Sequence, residues 1–398
     1  MSHSTVARLA PPIWLLALAV SGANVGMSLL SPAILSLRQD LGASADEAQL
    51  VLSVFLVMLG LGQLGAGSLS DRIGRRPVLV YGSLLFLLAG FGALVAPNVE
   101  VLIVLRALQG VGAATCMAMG RVIINDSFDR NEAGRQLSTI TMAQSVVPLI
   151  GFAFGGLLAD MVGWRGSIGL MVFVATLIFI GTALLIRETN INRPPPATLG
   201  TIFQIYGRLL VTPLFICHAT SGAMLTAAFF AMGGFMPYQF ERLGASAFEF
   251  GLFFSATPLG YMTGNSLNRS LGPRIGLERA AFYGALISVA TITTLLAMHL
   301  AGLAGQGVIA LHLFFYGLAN GMVIANIIIC AVRAAGAHSG AATGLCGALQ
   351  MAGSAIAGVL IIAAGGDQNF TMALVLVWAM SAIALVASWL VRTGTPAS

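Results

Sequence analysis

Long stretches without an ionisable side chain constrain the fold of this chain more than any other feature. Residues 48–70 and 368–391 contain no Asp, Glu, Lys or Arg, and neither does the longer stretch 280–332. A helix needs about 20 apolar residues to cross the hydrocarbon core of a bilayer. We therefore predict membrane-spanning segments in the windows 9–37, 48–70, 77–99, 101–120, 136–159, 166–186, 209–240, 250–268, 280–332, 334–366 and 368–391.

The stretch 280–332 is too long for one helix, and its glycines Gly302, Gly305 and Gly307 predict a break within residues 299–307. The count is then twelve spans. Continuous apolar windows indicate helices, because the strands of a membrane barrel alternate apolar and polar residues over about ten positions. Only 8% of the 398 residues are charged, whereas soluble domains carry about 25%. The sequence thus predicts an all-α polytopic membrane protein.

The positions of the arginines predict the orientation. If the chain begins in the cytoplasm, only Arg38, Arg165 and Arg242 lie in outside connections, and Arg106 lies within a span. Every other arginine, including Arg121, then lies in an inside connection, as the enrichment of Lys and Arg in cytoplasmic loops requires. We expect a multi-pass protein of the bacterial inner membrane with both chain ends in the cytoplasm and an uncleaved first span.

The chain divides near its midpoint into two halves of six spans. We predict bundles at residues 1–187 and 209–398, joined by a cytoplasmic linker at 188–208 whose prolines at 194–196 favour an extended conformation. A repeated segment supports this division, because the residues after the second span recur in weaker form after the eighth. The first copy contains Gly67, Asp71, Arg72, Gly74, Arg75 and Arg76, and the second contains Gly264, Asn268, Arg269 and Gly272.

Charge and cysteine positions exclude other classes of function. The net charge of +5 does not predict nucleic-acid binding, because the arginines are scattered between apolar runs. No C-x-x-C spacing occurs, so we predict neither disulfides nor a metal site. The four cysteines, each in an apolar run, are Cys116, Cys217, Cys330 and Cys346. No cluster of catalytic acids or histidines is apparent, so an enzyme or a receptor that does not transport is disfavoured.

The loop after the second span has two interpretations. Asp71 can accept hydrogen bonds from a helix N-terminus or an arginine, and the glycines permit a neighbouring helix to approach closely. Such a charged contact can form in one conformation and break in another. The alternative is a tight turn whose arginines only follow the positive-inside pattern. The residues alone leave both interpretations open.

Two further segments carry unusual chemistry for a membrane helix. Arg106, followed by Gln109 and Gly110, lies about six residues into the fourth span, where a guanidinium needs polar partners or a water-filled cavity unless it reaches outward to the interface. The fifth span contains Pro148, which kinks a helix, among glycines that permit another helix to pack closely. These glycines are Gly151, Gly155 and Gly156. The alternative is that this span is a plain packing helix.

Together these segments resemble known motifs. The loop after the second span is similar to the signature of the major facilitator superfamily, in which the aspartate and arginines stabilise the outward-facing state. The Arg106 segment resembles the fourth-helix motif of drug/proton antiporters, where this arginine is tied to proton transfer. The Pro148 segment resembles their fifth-helix motif, with Val147 in place of a glycine. Over nearly its whole length the chain resembles twelve-helix drug/proton antiporters, closest to the bicyclomycin-resistance type.

The resemblance implies a major facilitator fold and a monomer that exchanges a small molecule for protons, with no cofactor beyond the proton gradient. Asn268 replaces the acid of the first copy and implies a weaker contact in the second half. Many such antiporters have an acid in the first helix, but this chain has Val25 at about that position. The remaining candidates for a proton site are Glu47, Glu100, His218 and His312.

The resemblance also implies a substrate cavity lined by spans 1, 4, 7 and 10. Its polar or adaptable candidates are Asn24, Met117, Met224, Phe229, Asn320 and Asn326. Few charges fall in these segments, so we expect small, mostly apolar or weakly cationic substrates, as in multidrug efflux. Export of a native metabolite such as a sugar or amino acid is the alternative, because the first-helix acid is absent.

Overall fold

The computed structural model describes residues 10–190, 199–336 and 339–394, and these residues form fifteen helices and no strand. The helices are α1 (Ile13–Ser28), α2 (Ile34–Leu41), α3 (Ala45–Ile73), α4 (Arg75–Leu94), α5 (Val99–Ser127), α6 (Arg130–Val162), α7 (Trp164–Leu185), α8 (Leu199–Leu210), α9 (Pro213–Arg242), α10 (Ala247–Phe254), α11 (Ala256–Ile275), α12 (Leu277–Leu300), α13 (Gln306–Ala334), α14 (Ser339–Ala363) and α15 (Phe370–Gly394).

Ten of these helices are long and apolar enough to cross a membrane, within the part of the chain that the structure describes. They are α3 to α7, α9 and α12 to α15. The shorter apolar helix α1 and the pair α10–α11 occupy the other two predicted spans. The predicted break between residues 299 and 307 is confirmed, because α12 ends at Leu300 and α13 begins at Gln306. The all-α polytopic architecture is therefore confirmed.

Two predicted spans are each divided into two helices. The window 9–37 contains α1 and the start of α2, and the window 250–268 lies across α10 and α11. Pro32 lies in the first break and cannot donate a backbone hydrogen bond to Ser28, and Pro258 lies just after the second and cannot donate one to Phe254. The apolar windows predicted the membrane-spanning segments but did not predict where the helical backbone hydrogen bonds are interrupted.

Helix α8, at residues 199–210, overlaps the segment 188–208 that was predicted as an extended linker. Its Ile205, Tyr206 and Leu209 pack against residues of α9 and α14, including Phe215 and Leu345. This part of the linker is therefore helical, which corrects the prediction. The prolines at 194–196 lie outside the described residues, and the domain boundaries at 187/188 and 208/209 stay a prediction.

The buried apolar residues form two large clusters. One is drawn almost entirely from residues 15–186 and the other almost entirely from residues 225–384. Three residues belong to the cluster of the other half: Ala45, Phe152 and Ala355. They mark where the halves meet, along α3 against α14 and along α6 against α10.

The turns lie at two ends of the bundle. We call the end that contains the α3–α4 turn at Gly74 the arginine-rich end, and the end that contains the α6–α7 turn at Gly163 the opposite end. Each long helix connects one end to the other.

Candidate functional site

An ionic cluster joins α3, α4 and α5 at the arginine-rich end. Arg75 Nη1 donates to the Asp71 carboxylate over 2.6 Å, and Arg75 Nε donates to the Asp126 carboxylate over 3.0 Å. The Arg75 side chain is only 12% exposed, so water screens these contacts weakly. The structure thus pairs Asp71 with an arginine and not with a helix N-terminus.

Glu188 completes the cluster from the segment after α7. Its carboxylate accepts from the backbone N–H groups of Arg75 over 2.9 Å and of Arg76 over 3.3 Å, at the start of α4. It also accepts from the N–H groups of Thr189 and Asn190. Partial burial opposes the charge, but these four donors hold the pKa of Glu188 below its usual value. Arg75 Nη1 also donates to the Ser70 hydroxyl over 2.5 Å. We call Ser70, Asp71, Arg75, Asp126 and Glu188 the arginine cluster.

Gly74 has a structural reason to be glycine. Its φ is 108°, and a Cβ at this position would collide with the Glu188 carboxylate. Arg76 donates to the carbonyls of Ala183 and Ile186 over 2.8 Å each. Gly67 differs from the expectation of close packing, since nothing lies within 4 Å of the position of a Cβ there. Arg72 is exposed at the end of α3.

The second copy of the segment forms a neutral contact. Asn268 on α11 and Asn326 on α13 exchange hydrogen bonds of 3.0 and 2.7 Å between their amides. Asn326 is 1% exposed and also donates to the Met322 carbonyl. In this structure Asn326 is thus paired with Asn268, and its predicted place in a substrate cavity stays a prediction. Gly264 packs against the α13 backbone at Leu318.

The second copy also contains Arg269 and Gly272. Arg269 is exposed, while Gly272 is buried with the Asn268 side chain next to it. An amide pair therefore occupies the place that an ion pair occupies in the first half.

Arg106 is fully buried where α1, α3, α5 and α7 meet. It donates to the carbonyls of Gly26 over 2.9 Å and Val51 over 3.4 Å, and to Gln109 Oε1 over 3.0 Å. Its guanidinium lies 4.2 Å from the centre of the Phe55 ring. The side chain therefore does not reach outward to the interface. Gly110 brings α5 against the α3 backbone at Phe55, where a Cβ would leave only 2.5 Å.

Pro148 frees a backbone acceptor in α6 without ending the helix. Because proline has no N–H, the carbonyl of Gln144 lacks its helical partner. Asn24 Nδ2 of α1 donates to that carbonyl over 2.8 Å. The side chain of Gln144 accepts from Arg121 Nη2 over 3.0 Å. Arg121 lies within α5, which corrects its predicted place in an inside connection.

Asn24, Arg121 and Gln144 therefore form a polar group on the first half, which we call the Asn24 group. All three side chains are only partly buried. Arg121 and Gln144 were not predicted as site residues from the sequence. A usable signal was that they are polar residues with apolar residues between them.

The other cavity candidates differ in exposure. Met117, Met224 and Phe229 are partly buried. Phe229 packs against Phe254 with ring centres 6.1 Å apart. Asn320 is 6% exposed and donates to the Tyr316 carbonyl over 3.2 Å, so its amide is already used within α13.

Two of the proton-site candidates lie at exposed helix starts. Glu47 accepts from the Ser44 N–H over 2.7 Å in a capping box at the start of α3. Glu100 is exposed in the first turn of α5. Neither carboxylate lies deep in a span. His312 is 8% exposed and bonds the Val308 carbonyl over 2.7 Å, whereas His218 is 4% exposed with no partner for Nε2 among the described residues.

Glycines of α6 close the opposite end. Gly155 lies against the α1 backbone at Leu29, Gly151 against Ser28, and Gly156 against the α10 backbone at Ala247. At these positions a Cβ would collide with the neighbour. The glycines predicted to permit close packing on this span thus allow α6 to pack tightly both against its own half and against the second half.

Polar and aromatic contacts between the halves reinforce this packing. The Asp160 carboxylate accepts from the N–H groups of Ala247 over 3.1 Å and Phe248 over 2.9 Å, at the N-terminus of α10. The rings of Phe152 and Phe254 meet edge to face at 4.7 Å. We call residues 152–160 of α6 and 247–254 of α10 the α6–α10 contact.

The other end of α6 is not packed in this way. None of the residues 141–150 is fully buried. Ten consecutive helical residues point in all directions, so α6 has no closed face towards the arginine-rich end. The residue that α6 contributes to the Asn24 group, Gln144, lies in this stretch.

Comparison with known proteins gives consistent matches. A family model described as the Major Facilitator Superfamily matches residues 16–358. The uncharacterized MFS-type transporter YdgK of Bacillus subtilis is 28% identical over 352 residues, which cover 86% of each chain. Multidrug resistance protein D of Escherichia coli is 30% identical over 223 residues, 55% of this chain and 56% of that protein.

Two other matches are a resistance protein and a solved structure. The chloramphenicol resistance protein of Pseudomonas aeruginosa is 30% identical over 245 residues, 60% of this chain and 56% of that protein. The crystal structure of a D-xylose-proton symporter superposes with a TM-score of 0.74 at 17% identity, over 96% of this chain and 98% of that chain. At that identity the likeness concerns the fold alone.

Proposed function

The chain belongs to the Major Facilitator Superfamily, and on that premise we propose that it exports small, mostly apolar compounds in exchange for protons. That it is a membrane transporter and not an enzyme follows from the family. The direction of transport, the compounds and the coupling ion are the proposal. Alternating access of two halves around a central site is the mechanism that this fold supports.

The observation that carries the proposal is the difference between the two ends of α6. At the α6–α10 contact the helix touches the second half through the Gly156 backbone and the Asp160 carboxylate. Nearer the arginine-rich end none of the residues 141–150 is fully buried, and no backbone or carboxylate contact like those of Gly156 and Asp160 is found there among the described residues. A central site open to one end only is what alternating access requires of each state. We assign the open end to the cytoplasm, consistent with the arginine distribution.

The relatives and three partly buried side chains support small organic cargo. Two relatives are named for resistance, one to chloramphenicol and one to multiple drugs. Met117, Met224 and Phe229 offer adaptable apolar surface. The positive charge of Arg121 beside this surface favours neutral compounds over cations, because the hydrogen bond it makes is to an amide and not to a carboxylate. We therefore propose neutral compounds as the main substrates, where the sequence predicted apolar or weakly cationic ones.

Proton exchange is supported by the antiporter-like segments around Arg106 and Pro148. His312 is the remaining candidate that lies within a span with a polar partner, since Glu47 and Glu100 lie at helix starts. Transport in inside-out vesicles should then depend on an imposed pH gradient. It should stop when the gradient is collapsed.

The test is expression in a bacterial host that lacks its own efflux pumps. We expect raised resistance to neutral compounds such as chloramphenicol, a smaller effect on lipophilic cations such as tetraphenylphosphonium, and loss of both with an uncoupler. The matched control is Arg106→Ala expressed at the same level. No change across a broad panel, together with release of a sugar or amino acid from loaded vesicles, would replace drug efflux with metabolite export.

A further inference from the structure

Three metal-ligating side chains meet inside the second half, away from the Asn24 group. They are His218 of α9, Glu278 of α12 and Cys330 of α13. One ring nitrogen, one carboxylate oxygen and the sulfur all lie within 4.8 Å of one another. His218 is near the start of α9, Glu278 near the start of α12 and Cys330 near the end of α13. The cluster therefore lies at the arginine-rich end.

The histidine carries the strongest sign of a missing ligand. His218 is 4% exposed, and its Nε2 has no hydrogen-bond partner among the described residues. A buried ring nitrogen without a partner costs free energy, and an ion is one of the groups that satisfies it. Cys330 is also buried, at 6% exposure, and its thiol is free of any disulfide.

We infer that His218, Glu278 and Cys330 form a binding site for a divalent transition-metal ion of the Zn²⁺ type. Imidazole nitrogen, thiolate sulfur and carboxylate oxygen are the donors that Zn²⁺ takes in proteins, and three of them leave a fourth position for water. Alkaline-earth ions are disfavoured, because they take oxygen ligands and avoid thiolate. Binding releases the thiol proton of Cys330, while Glu278 binds as its carboxylate.

The geometry needs only a small adjustment. Ligand atoms on one tetrahedral Zn²⁺ lie about 3.5 Å apart. Side-chain rotations that bring the three atoms together by about 1 Å reach that spacing. The bound ion would tie α9, α12 and α13 together within the second half and leave the contacts between the halves unchanged. The site goes beyond the proposed transport activity and does not depend on it.

The first test uses Co²⁺ as a spectroscopic probe of the purified full-length protein in detergent. We expect one equivalent of Co²⁺ to give a thiolate-to-cobalt absorption band that Zn²⁺ displaces. Cys330→Ser should abolish the band, and His218→Ala should weaken Co²⁺ binding at least tenfold. The matched control is Cys217→Ser, because Cys217 adjoins His218 in sequence but lies in a groove towards α15.

A second measurement needs no substitution in the site. In the wild-type protein, Zn²⁺ should slow alkylation of Cys330 at least tenfold relative to chelator, measured peptide by peptide, while alkylation of Cys217 stays the same. The inference is overturned if the wild-type protein gives no thiolate band, if Cys330→Ser retains it, or if Zn²⁺ leaves the alkylation of Cys330 unchanged.

Discussion

Arg106 is held by carbonyl oxygens rather than by a carboxylate. Gly26 and Val51 supply backbone acceptors, and Gln109 supplies an amide oxygen. The planar guanidinium reaches three directions at once, which the single ammonium of lysine cannot reproduce. Among the described residues, the hydrogen-bond partners of this buried charge are all neutral.

We therefore predict that Arg106→Lys abolishes most transport although the charge is kept. At least one buried carbonyl would lose its donor, at a cost of about 1–3 kcal/mol in stability. Arg208→Lys, in the last turn of α8, is the control and should transport normally. Transport rates in vesicles and thermal unfolding in detergent measure the two effects. Full transport by Arg106→Lys would show that the charge alone is sufficient.

Asp71 tests the role of the arginine cluster. We predict that Asp71→Asn inserts at a normal level but transports at least tenfold more slowly, because the Arg75 guanidinium would lose one of its two ion pairs and keep that with Asp126. Asp46→Asn, at an exposed position in the first turn of α3, is the control. Unchanged transport in Asp71→Asn would reduce this aspartate to a residue of a tight turn.

Glu188 adds a pH dependence to the same cluster. Its pKa is lower in the folded protein than the ordinary value of 4.5, so the folded state binds fewer protons than the unfolded state. The stabilisation is complete above about pH 4.5 and is lost as the pH falls through the lower folded value. We predict that Glu188→Gln lowers the melting temperature at pH 7, and that the difference from wild type shrinks below pH 4.5. A difference that is constant with pH would contradict this.

Among the described elements, α6 is one of two helices of the first half that pack extensively against the second half, and the other is α3. Its glycines contact α1 and α10, its proline frees the carbonyl that Asn24 uses, and its Asp160 caps α10. Gly156 is the position where a backbone of the second half lies closest. A larger side chain there must push α10 away.

We predict that Gly156→Val weakens the α6–α10 contact and reduces transport at least tenfold. Overpacking a tight contact costs about 1–3 kcal/mol, enough to shift a two-state equilibrium. Gly134→Val is the control, because nothing lies within 4 Å of a Cβ at Gly134. Accessibility of a cysteine introduced at Phe248 reports the contact. Equal accessibility in Gly156→Val and wild type would argue against it.

Most helices, but not all of their breaks, could be predicted from the sequence. Apolar windows located the spans because lipid tolerates no other pattern, and glycines located the break before α13. The breaks at Pro32 and Pro258 were missed because apolarity does not record backbone hydrogen bonds. Helix α8 was missed because neighbouring prolines outweighed its apolar face.

The site was less accessible to sequence reasoning than the fold. The loop residues Asp71 and Arg75 were found because they are adjacent in a motif. Their partners Asp126 and Glu188 lie on other helices, and no sequence spacing joins them. The same reason hid His218, Glu278 and Cys330, since their spacing is nothing like C-x-x-C. The pairing of Asn326 with Asn268 could not be predicted either, because an asparagine in an apolar span looks the same in the sequence whether it faces a cavity or another asparagine.

For the whole molecule, the central claim is that two halves alternate between access at either end. The halves meet through the α6–α10 contact and along α3 and α14, and no covalent link holds the α6–α10 contact closed. Hydrogen bonds to Asp160 and one pair of rings must break when the opposite end opens. Such contacts are strong enough to favour one state and weak enough to be exchanged for equivalent contacts at the other end.

The most direct measurement is the distance between spin labels at both ends of a transport-competent variant that lacks the native cysteines. One pair uses the exposed positions Met161 and Leu303 at the opposite end, and the other uses Asn131 and Ser270 at the arginine-rich end. Changing the pH or adding a transported compound should lengthen the first distance while it shortens the second. Distances that stay fixed, or that lengthen together, would contradict alternating access in this protein.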